Sequence, residues 1–389
     1  MTLTDIEIKG FRSVRRLRMP LRQLTVLIGG NGVGKTNLYR SIELLHAAAL
    51  GRLADEIARE GGLASIFWAG GRNLTDDGRF DARYRTDGYR KSEGGSRLTL
   101  EARLEIDDFA PTYGIELGFP SPYDAAFSGE AQIKSEFLDI RSGKRDVRLL
   151  ERTGPAIWAR GAQGEREIVE ERALASETAL STLRGGYPEI ATVRQELGNW
   201  RFFHGFRTDT DSPLRRPSRA ITSPILASDG SNLAAVFATL RHIRHETVDL
   251  DAAIDLAFPG TELVVPEPGE FATFGLIFPE TPKRTFWAHE LSDGTLQFLA
   301  LMGALLSYRL PPFVALNEPE TSLHPNLLPA LAQTIVKAAG RAQVWVVTHS
   351  QPLADAIAEE SGVAPREVIR TEEGTGIRGL SPIGVFDDE

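Results

Sequence analysis

Gly29-Gly30-Asn31-Gly32-Val33-Gly34-Lys35-Thr36 is the stretch on which the reading of this chain turns. It fits the pattern G-x-x-x-x-G-K-[ST], and the residues around it supply the context that the pattern needs. Before it, Leu24-Thr25-Val26-Leu27-Ile28 reads as a short buried strand; after it, Asn37 to Leu45 reads as a helix. A glycine-rich turn between strand and helix lets backbone N–H groups from Asn31 to Asn37 close on phosphate oxygens. The helix N-terminus adds favourable partial charge. In such a loop Lys35 reaches the β- and γ-phosphates and the Thr36 hydroxyl ligates Mg²⁺.

Composition narrows the class. The chain has 389 residues, 42% apolar and 25% charged, which suits a soluble protein of two domains or of one large domain with an insertion. No apolar run approaches the roughly 20 residues that span a bilayer. The opening Met1-Thr2-Leu3-Thr4-Asp5 does not read as a signal peptide. Zero cysteines exclude disulfides, thiolate metal sites and cysteine nucleophiles, and the seven histidines show no metal-ligand spacing. A cytoplasmic protein with no membrane partner is the expectation. The net charge of −9 argues against a surface that grips nucleic acid everywhere. Two basic segments stand out nonetheless, Lys9 with Arg12, Arg15, Arg16, Arg18 and Arg22, and Arg201 with Arg207, Arg215, Arg216 and Arg219. They are either solvated surface or a local DNA-binding patch.

Three further motifs carry chemistry. Phe313-Val314-Ala315-Leu316-Asn317-Glu318-Pro319-Glu320 is an apolar strand ending in acids, the form of a Walker B strand. Such a strand delivers its terminal carboxylates to the carboxyl edge of a parallel sheet. Glu318 is then the candidate to orient and deprotonate an attacking water. Asn317 stands where an aspartate would hold Mg²⁺; its amide oxygen can accept from a metal-bound water but brings no charge. Val344 to Ser350 is a second apolar strand, ending in Thr348-His349-Ser350, and His349 is the candidate sensor of a γ-phosphate. Leu291-Ser292-Asp293-Gly294-Thr295 opens the apolar helix Leu296 to Leu306, with Ser292 suited to an N-cap. Alone, that last motif is a capped helix.

Taken in order, phosphate loop, Ser-Asp-Gly, acidic strand and Thr-His-Ser resemble the ABC-type ATPase heads of the SMC and RecF-like group. The likeness is to bacterial predicted ATPases of AAA and ABC type with a Leu-Ser-Asp-Gly-Thr signature, related to the ATPase part of OLD-family proteins. Ile8 to Val14, Asp229 to Leu233, the aromatic run ending in His204, and Leu323-His324-Pro325 share in it. The resemblance implies an α/β fold, a P-loop NTPase of ABC-ATPase type with a β-rich first lobe, an α/β core and an inserted segment. It implies ATP and Mg²⁺ as cofactors and a homodimer closed on ATP. Ser292, Asp293 and Gly294 of one subunit would meet the γ-phosphate bound at Lys35 of the other. By the same likeness Arg12 and Ser13 touch the nucleotide, and Gln132 is the candidate glutamine that senses Mg²⁺.

The segments expected are 1–110 as a first ATPase lobe, 111–228 as a β/helical insertion and arm, and 229–389 as a second lobe. Helices are expected at Glu170 to Leu183 and Pro188 to Leu197, a mobile proline- and arginine-rich loop at Thr208 to Pro224, and a solvated tail at Asp387-Asp388-Glu389. No coiled coil separates the lobes, and about 40 residues after His349 are too few for an appended nuclease of usual domain size. A DNA-acting ATPase working with a separate nuclease or repair protein, in repair, DNA processing or anti-phage defence, is the leading reading. A nucleotide-gated binding module with little hydrolysis is the alternative that Asn317 favours. A transporter's nucleotide-binding subunit fits less well, given the long segment before the signature and the Asp within it.

Overall fold

Phe313–Asn317 and Gln343–Thr348 are apolar on both faces, so each must be covered on both sides, and a parallel sheet flanked by helices meets that demand. The structure, a computed structural model, describes residues 1–68, 97–120, 127, 129–143, 145–161 and 164–387. Residues Arg22–Gly29 and Trp200–Arg366 form one compact unit. Its parallel strands run in the order Arg201–Phe203, Phe313–Asn317, Gln343–Thr348, Leu24–Ile28. Helices Asp293–Leu306, Leu328–Ala339 and Gln351–Ser361 pack a continuous core with these strands. Register aligns the carboxyl ends: Asn317 lies opposite Val347, and Thr348 opposite Ile28. The phosphate loop leaves its strand one residue after Ile28, so its origin, the acidic strand end and the Thr-His-Ser turn share one sheet edge.

The second unit comprises Met1–Leu21, Gly30–Asn199 and Glu367–Glu389. Its antiparallel sheet begins with the C-terminal hairpin Arg366–Thr371 and Gly374–Ile377, followed by Val14–Pro20 and Thr2–Phe11. The order continues through Arg97–Glu105, Pro111–Gly118, Gln132–Ser142, Arg145–Thr153, Ala156–Arg160 and Arg166–Glu170. Alternating burial along Arg97–Glu105 shows one face on the core and the other toward water. The described chain thus divides into two units, each discontinuous in sequence. The strands after residue 110 extend the sheet begun by the first strand, and the C-terminal hairpin joins that sheet too.

The helix expected over Glu170 to Leu183 shrinks to one turn, Ala179–Thr182, and Arg166–Glu170 is a strand. The reason is competition for carbonyls. Ala175 O accepts from Ile133 N, while Leu174 O and Glu177 O accept from the guanidinium of buried Arg152. These long-range bonds fix the segment in a non-helical course, and tertiary contacts override local propensity. Glu136, opposite Arg152 in the sheet, accepts from Ala179 N at 2.6 Å, Leu180 N at 2.8 Å and the Tyr113 hydroxyl at 3.0 Å. Burial raises its pKa, and these bonds to the carboxylate oppose the rise. Pro188–Gly198 is helical as expected. The stretch Thr208 to Pro224 is pinned rather than loose: Ser212 and Leu214 are buried, and Ser218–Arg219 pairs with Phe271–Ala272. Asp388 and Glu389 of the expected tail lie outside the described residues. Among the described residues no helix is long and apolar enough to cross a membrane.

Candidate nucleotide site

The phosphate loop is shaped by backbone torsions that favour glycine. Gly32 at φ 77° and Gly34 at φ 107° adopt the left-handed region, and around Gly30 and Gly32 the space is open. Helix Lys35–Ala49 starts directly after Gly34, with no side-chain cap and no acid in its first turn. An uncapped helix N-terminus of this kind is an anion site. The Lys35 side chain is buried at 4% exposure and donates from Nζ to Gly30 O at 2.8 Å, folded back across the loop. Asn31 and Thr36 are exposed.

Arg12 and Ser13 have other commitments in this structure. Arg12 sits at φ 46° and pairs with Glu60, which also meets Arg40 at 3.3 Å. The Ser13 hydroxyl accepts from Asn37 Nδ2 at 2.6 Å and bonds the Thr375 hydroxyl at 2.7 Å. Gln132 lies on the strand Gln132–Ser142, where its Oε1 accepts from Lys134 Nζ at 2.9 Å.

At the end of the acidic strand, Glu318 takes φ 50°, and its N–H donates to Val347 O at 2.7 Å. A non-glycine residue in this region costs about 1–3 kcal/mol and persists only where its surroundings hold it. His349 Nδ1 lies 3.6 Å from Glu318 Oε1 and 3.3 Å from Glu320 Oε1. Glu320 is the residue that motif reading passed over. Its Oε1 accepts from the Thr348 hydroxyl at 2.5 Å, His349 N at 3.1 Å and Ser350 N at 3.2 Å. At 8% exposure it locks the Thr-His-Ser turn to the acidic strand. The signal was present as a second acid two residues beyond Glu318, but nothing local distinguished a buried anchor from a solvated acid.

Asn317 Oδ1 and Glu320 Oε2 are buried and have no hydrogen-bond partner among the described residues. Such orphans are costly unless something else meets them. Among the described residues no group of three or more His, Asp or Glu could hold a metal ion.

The signature segment is organised from within its own unit. Ser292 accepts from Thr295 N at 3.2 Å and caps helix Asp293–Leu306. A Cβ at Gly294 would stand 2.9 Å from Ser322 O, so close backbone packing alone demands glycine there. Arg215 donates to His289 O at 3.1 Å, Leu291 O at 2.8 Å and Asp293 Oδ1 at 2.7 Å, tying the proline- and arginine-rich stretch to the signature. Three more arginines of that basic segment meet carboxylates: Arg207 meets Asp209, Arg216 meets Asp211 and Arg219 meets Glu270. In the first basic segment Lys9 and Arg16 meet Glu7, Arg15 meets Glu373 and Arg18 meets Asp5. Most of the cations in the two segments therefore sit beside a carboxylate.

The family described as "AAA domain, putative AbiEii toxin, Type IV TA system" matches residues 24–355 of the chain. No curated protein matches the sequence. Among solved structures, an Smc head bound to the C-terminal winged-helix domain of ScpA aligns at 14% identity with a TM-score of 0.56, covering 98% of each chain. An SMC head domain from Thermotoga maritima aligns at 15% identity with a TM-score of 0.49, over 98% of this chain and 100% of the other. At such identities the likeness to the Smc head is one of fold.

Proposed function

The chain belongs to this AAA-domain family and has the fold of an SMC-like ATPase head, and on that premise we propose that it binds and hydrolyses ATP as a dimerising conformational switch. The observation that carries the reading is the shared strand edge. Glu318, held in a rare backbone conformation, meets His349 at the end of the same sheet whose next strand, Leu24–Ile28, runs into the phosphate loop. In this reading Lys35 and the loop N–H groups take the triphosphate, Glu318 orients and deprotonates water, and His349 reads the γ-phosphate. Ser292, Asp293 and Gly294 complete the partner's site. Each ATP then contributes contacts to two subunits, so binding drives association and turnover releases it.

The residues fit Mg²⁺. The exposed Thr36 hydroxyl would ligate it, and the orphaned Asn317 oxygen would accept from one of its waters. When bound, the ion would neutralise phosphate charge. Gln132 is not needed for this assignment. Nucleotide titration calorimetry tests the reading directly: Lys35→Ala should weaken ATP binding by about 10- to 100-fold, the worth of a charged hydrogen bond. An unchanged Kd would remove the phosphate loop from the proposal.

Asn317 supports a second reading, a nucleotide-gated module that turns over slowly, because it supplies an oxygen without charge. Asn317→Asp should lower the Mg²⁺ concentration for half-maximal nucleotide binding by about tenfold, as outer-shell charges do. No change in that midpoint would mean that residue 317 does not face the metal. DNA as the effector has weaker support than sequence alone suggests, since most cations of the two basic segments sit beside carboxylates. A protein partner is the better first target.

A further inference from the structure

We propose that Thr375, on the C-terminal hairpin, is a positioning residue for the phosphate loop, an inference that rests on the nucleotide-binding role of that loop. Thr375 is buried at 5% exposure and lies 342 positions along the chain from Val33. Its hydroxyl donates to Val33 O at 2.8 Å. A threonine hydroxyl has one proton, so in its 2.7 Å bond with the Ser13 hydroxyl Thr375 accepts and Ser13 donates. Ser13 in turn accepts from Asn37 Nδ2 at 2.6 Å. Donor and acceptor roles thus run one way, from Asn37 through Ser13 and Thr375 to the Val33 carbonyl. Both hydroxyl protons in the relay are used, and bonds in such a chain polarise one another.

The relay brackets the loop. Val33 precedes the last glycine, and Asn37 lies in the first turn of the helix that follows. A cradle for anions needs N–H groups facing inward and carbonyls facing away. Thr375 holds the Val33 carbonyl in a bond outside that cradle. It also fills the space beside Gly34, where a Cβ would stand 1.9 Å from Thr375 Oγ1. The hairpin is seated by its own backbone: Thr375 N donates to Ser13 O at 2.7 Å, and Gly374 at φ 112° brings it within reach. The loop is therefore pre-shaped by a distant segment before any nucleotide arrives.

Calorimetry with MgATP and thermal melting, with and without MgATP, test this on the full chain. Thr375→Val keeps the shape and removes the hydroxyl; it should raise the ATP Kd roughly tenfold and shrink the ATP-induced rise in Tm. The melting point without nucleotide should stay within about 2 °C of wild type. Thr375→Ser should restore the wild-type Kd, which a purely space-filling role would not predict. Should Thr375→Val fail to fold, Ser13→Ala breaks the same relay at a half-buried turn and is read by the same two measurements. A valine variant that binds ATP like wild type, or a serine variant as weak as valine, overturns the proposal. Wild type that binds no ATP overturns the nucleotide reading itself, and this inference with it.

Discussion

Glu318→Gln should lower kcat for ATP hydrolysis by about 10²–10⁴-fold, the usual worth of a positioned general base, while leaving the Kd for ATP near wild type. Glutamine keeps the size and an oxygen but cannot take a proton from water at neutral pH. Because the closed state would then lack an exit through hydrolysis, light scattering with saturating MgATP should report twice the 42.6 kDa of one chain. A monomer under those conditions would sink the dimer, and turnover at the wild-type rate would sink the assignment of Glu318. The backbone at Glu318 makes the experiment informative. Its φ of 50° is held by the N–H bond to Val347 O, so the side chain is aimed by the sheet and not by its own carboxylate.

Ser292→Arg should cut turnover by about 10²-fold or more, the cost of losing a transition-state donor, while ATP binding to a single chain persists. The geometry adds a condition. Ser292 already caps helix Asp293–Leu306, so the substitution should also cost about 1 kcal/mol of stability. That loss is small beside the kinetic one and is read separately from thermal melting. Normal hydrolysis by the variant would return the motif to its plain role as a helix cap. The structure makes that plain role concrete, since Gly294 is already required by Ser322 O within the same chain.

Contiguous motifs were legible in the sequence. A phosphate loop is built by consecutive backbone groups, so the spacing of Gly29, Gly34, Lys35 and Thr36 is the geometry. Apolar strands at Leu24–Ile28, Phe313–Asn317 and Gln343–Thr348 were legible for the same reason, because burial on both faces leaves a continuous apolar run. Arg215 was not. As part of a basic run it read either as solvated surface or as part of a DNA-binding patch, yet it sits at 13% exposure holding the carbonyls of His289 and Leu291 and the carboxylate of Asp293. Glu171 to Glu177 misled in the opposite sense. Its composition favours a helix, but bonds from Arg152 and Ile133 to its carbonyls hold it in a non-helical course.

What the sequence determined by itself is a phosphate-loop α/β fold, because its motifs are local and their order along the chain restricts the fold. Tertiary structure alone decided which strand joins which unit, that Glu320 anchors the Thr-His-Ser turn, and that Thr375 braces Val33. The physical reason is one of distance along the chain. A hydrogen bond between residues 342 positions apart leaves no period and no spacing behind it, and only the folded backbone brings its donor to its acceptor.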